Sequence, residues 1–114
     1  MSERDYSKQV AKRQRISSTS LVVGVDVGKV HNAVGFMNKE GKVLGSCAKA
    51  YNSREGFEQF MKMVQDLQAR HGLKDVLIGM EPTGHYWRKL AYFAKEHGCE
   101  VRFVRTTALK HHRL

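Results

Sequence analysis

The sequence predicts an α/β domain whose mixed five-stranded sheet has the strand order 3-2-1-4-5 and carries helices on its faces. Two short, apolar and β-branched runs, Leu21–Val27 and Asp75–Glu81, are typical of central strands buried on both sides. Three strands precede the first predicted helix, and strands and helices alternate after it. Since the chain has 114 residues, it can form one domain with a single modest core.

The first 20 residues differ from the rest of the chain. They hold five basic and two acidic residues, end in a run of serine and threonine, and show no sustained apolar period. Such a composition predicts a flexible basic arm over residues 1–20, followed by the folded domain over 21–114. The arm is either a tether to nucleic acid or a tail without a role.

The first half of the domain is predicted to be an antiparallel meander. Leu21–Val27 is its first strand, and a tight Gly28-Lys29 connection leads into the second strand, His31–Met37. A turn-rich segment over residues 38–42 leads to the third strand, Val43–Tyr51. In the second strand, Asn32 alternates in direction with Ala33, and this alternation continues to Met37.

The next segment has the period of an amphipathic helix. Asn52 or Ser53 can cap its start, and Gly72 is typical of the residue that ends a helix. One stripe of apolar residues is expected to face the core: Phe57, Phe60, Met61, Val64 and Leu67.

The remaining elements complete the sheet. Asp75–Glu81 is the fourth strand, Tyr86–His97 a second helix and Glu100–Val104 the fifth strand. A third helix is expected to begin near Thr106. The residues of the second helix predicted to face inward are Tyr86, Leu90, Phe93 and Ala94.

Two acids stand where central strands end. Asp26 and Glu81 each close an apolar run, although an ionised carboxylate is costly to bury without a partner. In the predicted strand order the first and fourth strands are neighbours, so both acids lie at adjacent carboxyl ends, where α/β sheets usually place their sites. Carboxylate oxygens are ligands that Mg²⁺ and Mn²⁺ prefer, which predicts a shared divalent-metal site. The alternatives are a surface acid at Asp26 and a helix-entry carboxylate at Glu81.

The charge of the chain favours a polyanionic partner. Its 20 Lys and Arg residues and 11 Asp and Glu residues give a formal charge of +9, and basic groups that bind phosphate release counterions. No basic amphipathic helix and no apolar run of membrane-spanning length is present, so a membrane partner is not expected. Cys47 and Cys99 have no metal-like spacing, and we expect both to be buried and reduced in the cytoplasm.

Basic residues cluster around the predicted carboxyl-end edge and are candidates for binding phosphates. His85 is a candidate metal or phosphate contact, although a capping or solvated histidine is the favoured interpretation. Tyr86 and Trp87 could stack on bases, but core packing is the favoured interpretation, and more so for Tyr86. The candidate nucleic-acid-binding residues are Lys29, His31, His85, Arg88, Lys89, Arg105, Lys110 and Arg113.

Two strings, VGVDVGK at residues 23–29 and GMEPTGHYW at 79–87, carry a resemblance to a known family. They resemble bacterial insertion-sequence transposases of the DEDD type, called the one-hundred-and-ten family, and the resemblance extends over about residues 21–114. The second string is far more specific than the first. In that family this region is an N-terminal RuvC-like domain with an RNase H-like fold, related to Holliday-junction resolvases.

The resemblance implies a role in DNA transposition. Asp26 and Glu81 match the first two of four catalytic, metal-binding acids, with Mg²⁺ or Mn²⁺ as the cofactor and DNA as the substrate. Family members also work with a structured noncoding guide RNA, which makes RNA a second expected ligand. For the full-length protein we expect a homo-oligomer.

The chain departs from the family pattern after the fifth strand. Residues 105–114 contain no acid, whereas the third and fourth acids of the family lie on a helix there. The family's C-terminal transposase domain, with its strand-exchange serine, is not in the sequence either. We therefore expect a truncated domain that holds its metal weakly and is catalytically incomplete by itself.

Two other functions remain as alternatives. The absence of the third and fourth acids favours a non-catalytic module that binds nucleic acid or assists assembly. An Asp-x-Gly string after a first strand also occurs in actin-like ATPases and sugar kinases, but the chain has no second similar domain and no P-loop pattern.

Overall fold

A computed structural model describes residues 19–82 and 84–104 of the chain. Within these ranges the element order is three strands, a helix, a strand, a helix and a strand, as predicted. The elements are β1 (Ser20–Asp26), β2 (His31–Met37), β3 (Ala48–Tyr51), α1 (Arg54–His71), β4 (Asp75–Met80), α2 (Trp87–Glu96) and β5 (Glu100–Phe103). Most of the predicted arm and the expected helix after Thr106 lie outside the described residues. Ser20, which we assigned to the arm, is the first residue of β1.

The five strands form one sheet in the order β3-β2-β1-β4-β5, which confirms the predicted order. Strand β1 pairs antiparallel with β2, and β2 pairs antiparallel with β3, giving the predicted meander. Strand β4 runs parallel to both β1 and β5. The arrangement is an α/β fold consistent with the RNase H-like class.

Both described helices pack on the same face of the sheet. Phe60 of α1 stacks on Phe36 of β2, with 6.5 Å between ring centroids, and Phe57 of α1 contacts Phe93 of α2 at 5.5 Å. Strand residues with alternate spacing, such as Leu21 and Val23, are buried in the same apolar cluster. We call this the helix face, and the opposite side of the sheet the second face.

The ends of helix α1 agree with the sequence signals. The Ser53 side chain accepts a hydrogen bond from the Gly56 amide, so Ser53 rather than Asn52 is the N-cap. Gly72 adopts a left-handed conformation with φ of 65°, which lets its amide bond back to the Gln68 carbonyl. The five residues of the predicted apolar stripe are all buried: Phe57, Phe60, Met61, Val64 and Leu67.

The third strand is shorter than predicted. We expected Val43–Tyr51, but only Ala48–Tyr51 is strand, with an isolated bridge between Val43 and Met37. Gly45 adopts a φ of 69°, which breaks the extended conformation between the bridge and the strand. As a consequence Cys47 is exposed, so its predicted burial was wrong. Cys99 is buried as predicted, and desolvation raises the pKa of its thiol.

Helix α2 faces the core as predicted through Leu90, Phe93 and Ala94, but the inward placement of Tyr86 was wrong. The fully covered residues of the helix are Leu90, Ala91 and Ala94, while Tyr86 is 37% exposed. Trp87 instead packs against the core, so the choice of Tyr86 as the more buried aromatic was wrong. The reason is the helix start: Tyr86 is the N-cap position, and the apolar stripe begins only after it.

Among the described residues, no helix is both long and apolar enough to cross a lipid bilayer.

Candidate metal and nucleic-acid site

The two acids follow equivalent positions on neighbouring parallel strands. Val25 of β1 pairs with Met80 of β4, and Asp26 and Glu81 are the next residues after this pair. Adjacent strands lie about 4.8 Å apart, so the register brings the two backbone positions to one edge of the sheet. Asp26 is exposed and Glu81 is partly buried, so both carboxylates lie in a region that retains contact with solvent.

A pair of asparagine side chains supports the loop behind Asp26. The fully buried Asn32 donates to the Ala50 carbonyl at 3.0 Å and to the Asn52 side-chain oxygen at 2.8 Å. Its own side-chain oxygen accepts from the Gly28 amide at 3.2 Å. We call Asn32 and Asn52 the amide clamp, because together they tie the β1–β2 turn to the end of β3.

The clamp fixes the backbone of the turn next to Asp26. The Asn52 side chain donates to the carbonyls of Gly28 and Lys29, at 2.7 and 2.8 Å. A Cβ atom on Gly28 would clash with the His31 carbonyl oxygen, so this turn can close only around glycine. The Lys29 side chain is therefore carried by a fixed backbone while it is itself exposed.

The described basic candidates occur in segments at the carboxyl-end edge of β1 and β4. Lys29 lies in the turn after β1, and His31 begins β2, which runs antiparallel to β1. His85 precedes α2, and Arg88 and Lys89 are in its first turn. All but His31 are exposed. The remaining three candidates lie outside the described residues: Arg105, Lys110 and Arg113.

The aromatic residues near Glu81 have distinct environments. Trp87 packs edge-on against Phe103 with 5.0 Å between centroids, and its indole N–H donates to the Gly84 carbonyl at 3.1 Å. Arg88 lies over the Trp87 ring, 5.6 Å from its centroid. Trp87 is thus engaged in joining α2 to β5, as the core-packing interpretation expected. Tyr86 and His85 form an exposed ring pair with centroids 4.5 Å apart.

A shallow depression adjoins Asp26 on the sheet. Its lining includes Gly24 and Gly35, which pair with each other across β1 and β2. A Cβ on either glycine would meet no atom within 4 Å, so the missing side chains leave the sheet backbone accessible there. The full lining is Gly24, Val25, Asp26, Ala33, Val34, Gly35 and Cys47.

The donor set suits a hard cation that retains water ligands. Within residues 19–82 and 84–104 there is no group of three or more His, Cys, Asp or Glu side chains placed to hold a metal ion. Mg²⁺ is commonly bound by one or two carboxylates, with waters and substrate phosphates as its other ligands. Asp26 and Glu81 therefore fit such an ion and do not form a closed structural site.

Three features of the site were not predicted from the sequence. Asn32 was expected only to point away from Ala33, and its hydrogen-bond partners, which are distant in sequence, were not predicted. Asn52 was considered only as a helix cap. Tyr51 was not considered as a site residue. Its position at the end of the predicted third strand was visible in the sequence, and its ring is 48% exposed in the structure.

The family comparison decides the classification of the chain. The sequence model of the IS110-type DEDD transposases, described as "Transposase", matches residues 23–113. This span includes both acids and most of the described fold. The chain belongs to this transposase family. The resemblance inferred from the two strings is therefore confirmed.

No curated protein matches the sequence of this transposase-family chain.

Solved structures similar to this transposase-family chain support the fold. A Bacteroides thetaiotaomicron protein with an actin-like ATPase fold and unknown function superposes with a TM-score of 0.52 at 12% identity. It covers 93% of this chain, which in turn spans 38% of that protein. At this identity the similarity extends to the fold alone.

Two phosphatases show a weaker similarity to the transposase-family chain. An exopolyphosphatase from Cytophaga hutchinsonii has a TM-score of 0.42 at 11% identity, covering 74% of this chain and 34% of its own. The Aquifex aeolicus Ppx/GppA phosphatase has a TM-score of 0.41 at 11% identity, covering 75% and 35%.

Proposed function

We propose that this chain is the RuvC-like N-terminal domain of an insertion-sequence transposase that cuts and rejoins DNA with a divalent metal ion. The parallel register that puts Asp26 and Glu81 directly after the Val25–Met80 pair is the observation that carries the proposal. Membership of the transposase family supplies the reaction class. The complete enzyme acts on DNA and uses a structured guide RNA as its second nucleic-acid partner.

Asp26 and Glu81 would hold Mg²⁺ or Mn²⁺ in this proposal. Such an ion, when bound, orients a phosphate and stabilises charge on the attacking or leaving oxygen. The chain's own contribution is to hold two carboxylates at adjoining strand ends. Without a cation, two carboxylates about 4 Å apart repel each other by roughly 4 kcal/mol at an effective dielectric of about 20.

Basic residues beside the acids would hold the nucleic-acid backbone. Lys29 on the clamped turn and Arg88 and Lys89 at the start of α2 supply cations on the two sides of the acid positions. Phosphate contacts of this kind fix the position of a strand without reading its sequence. The proposal therefore assigns positioning to these residues and leaves target choice to other parts of the complex.

The test replaces each acid by its uncharged isostere in the complete transposase. Asp26→Asn and Glu81→Gln should each reduce recombination at least about 100-fold, because each removes a metal-ligand charge while keeping the side-chain shape. Asp66→Asn is the matched control, since Asp66 is an exposed acid on α1 in an ion pair with Arg70. Normal recombination by a correctly folded Asp26→Asn enzyme would remove the catalytic role of Asp26.

A non-catalytic module is the second candidate function for the 114-residue chain. It is favoured by the finding that no group of three or more His, Cys, Asp or Glu side chains in the described ranges is placed to hold a metal ion. Incubating the chain with supercoiled DNA and Mg²⁺ separates the two functions. We expect binding without robust nicking, and efficient nicking that Asp26→Asn abolishes would assign catalysis to this chain alone.

A further inference from the structure

A half-buried histidine and an exposed tyrosine form a ring pair on the second face of the sheet, at the edge that carries the acid positions. Tyr51, the last residue of β3, pairs in register with His31, the first residue of β2. Their ring centroids are 5.7 Å apart with the planes tilted by 56°. Tyr51 keeps 48% of its surface exposed, although a tyrosine ring is one of the larger apolar groups a protein can bury.

The strand register relates this pair to Asp26. Asp26 is opposite Ala33 on β2, and Ala33 is opposite Lys49 on β3. His31 and Tyr51 lie two residues further along, towards the carboxyl-end edge of β1. Since two residues span about 7 Å and two strand spacings about 10 Å, Tyr51 is about 12 Å from Asp26.

The alternation of side chains along β2 and β3 places the ring pair, Ala33 and Lys49 on one surface. The residues between them, Asn32 and Ala50, are buried on the helix face at 0% and 1% exposure. His31, Ala33, Lys49 and Tyr51 therefore lie on the second face. The surface is continuous with the edge that carries Asp26.

The backbone beneath Tyr51 is held firmly. The Tyr51 carbonyl accepts a hydrogen bond from the Ser53 amide at 2.9 Å, and the adjoining Asn52 amide donates to the Val30 carbonyl at 2.9 Å. Gly56 of α1 approaches the Tyr51 carbonyl so closely that a Cβ on Gly56 would clash with it. A ring on so constrained a backbone loses little entropy when a ligand stacks on it.

Cations flank the ring pair. Lys29 and Lys49 are both exposed, and neither is in an ion pair with another residue of the described ranges. An aromatic face with nearby lysines is the combination that binds a single strand, since bases stack on the ring while the cations attract the phosphates.

We propose that the His31–Tyr51 pair is a stacking site for an unpaired nucleobase, on a strand whose phosphates contact Lys49 and Lys29. The inference rests on the proposed function, because it concerns the nucleic acid bound at the same edge. Stacking accepts any base, so the site recognises an unpaired nucleotide of DNA or RNA without reading its identity.

Equilibrium binding of the 114-residue chain tests the site. The probes are a fluorescent single-stranded DNA, the same sequence as RNA, and a blunt DNA duplex with no unpaired base. Tyr51→Leu should weaken binding to at least one single strand by about five-fold or more, and binding to the duplex by less than about two-fold. Tyr51→Phe should keep wild-type affinity, because it retains the ring. Tyr92→Leu is the control, since Tyr92 is 61% exposed on α2 and belongs to no proposed contact.

A second measurement does not depend on how the leucine variant folds. A 2-aminopurine base placed at successive positions of the bound strand should lose fluorescence at one position in complexes of wild-type and Tyr51→Phe proteins. Unchanged emission at every position, or equal single-strand affinity of folded Tyr51→Leu and wild type, overturns the stacking site.

The binding measurements distinguish a failure of the stacking site from a failure of the proposed function. Salt-sensitive binding with no Tyr51 effect would overturn the stacking site alone. If none of the three probes binds, the nucleic-acid role and the stacking site are overturned together. Comparing the effect of Tyr51→Leu on the single-stranded DNA and RNA probes shows whether DNA or RNA supplies the stacked base.

Discussion

At the scale of single residues, the amide clamp explains how the loop next to Asp26 holds its shape. Asn32 is a fully buried polar residue, and both its amide hydrogens and its oxygen have partners. No buried side-chain nitrogen or oxygen in the described ranges is left without a hydrogen bond. The clamp is therefore a complete network, in which removing one member leaves other buried groups unpaired.

We predict that Asn32→Asp destabilises the protein by at least about 2 kcal/mol. The change keeps the shape of the side chain but replaces two donors with acceptors facing the Ala50 carbonyl and the Asn52 oxygen. Urea unfolding at neutral pH measures the effect. Asn38→Asp is the matched control, because the Asn38 side-chain oxygen only accepts, from the amides of Glu40 and Lys42. Equal stabilities of the two variants would show that the clamp is unimportant.

The clamp also shows a limit of sequence-based reasoning at this scale. Alternation in β2 correctly predicted that Asn32 and Ala33 point to opposite faces, since that depends only on neighbouring residues. Asn32 has its hydrogen-bond partners, Ala50 and Asn52, 18 and 20 residues away, and only the assembled sheet brings them near. Asp26 and Glu81 could be proposed as a pair because strand ends are visible in the sequence. The exposure of the Tyr51 ring depends instead on how the assembled sheet and helix α1 surround it.

At the scale of elements, the sequence predicted each strand and helix of the described fold but misplaced some ends. Helix α1 was predicted well because its stripe, its Ser53 cap and its Gly72 stop agree with one another. Strand β3 was overextended because β-branched and apolar residues continue through a segment that Gly45 bends. In α2, Tyr86 was wrongly predicted to face the core, since the prediction began the helix one residue too early.

The docking of α2 provides a prediction at this scale. Leu90 is fully buried, so Leu90→Ala should lower the free energy of unfolding by about 2–5 kcal/mol through lost burial and a residual cavity. Tyr92→Ala changes a 61% exposed residue of the same helix and should cost less than about 0.5 kcal/mol. Chemical denaturation of both variants makes the comparison. A cost at Tyr92 as large as that at Leu90 would contradict the observed facing of α2.

At the scale of the whole molecule, we expect the positive charge to contribute to nucleic-acid binding far more than to stability. The formal charge is +9, while the ion pairs found in the described ranges are short-range surface pairs. Arg54 and Glu58 form one of them, with side chains 87% and 53% exposed. Such pairs contribute about 0–1 kcal/mol each, and salt also screens the repulsion among the excess cations.

Salt should therefore separate binding from folding. Raising salt from about 50 to about 200 mM should weaken duplex DNA binding at least about ten-fold, because each phosphate contact releases counterions. The same change should alter the free energy of unfolding by less than about 1 kcal/mol, since the surface pairs lost and the repulsion relieved oppose each other. Anisotropy titrations and urea unfolding in matched buffers give both quantities. Salt-independent affinity would exclude a phosphate-led interface, and a parallel loss of stability would mean that weaker binding reflects unfolding.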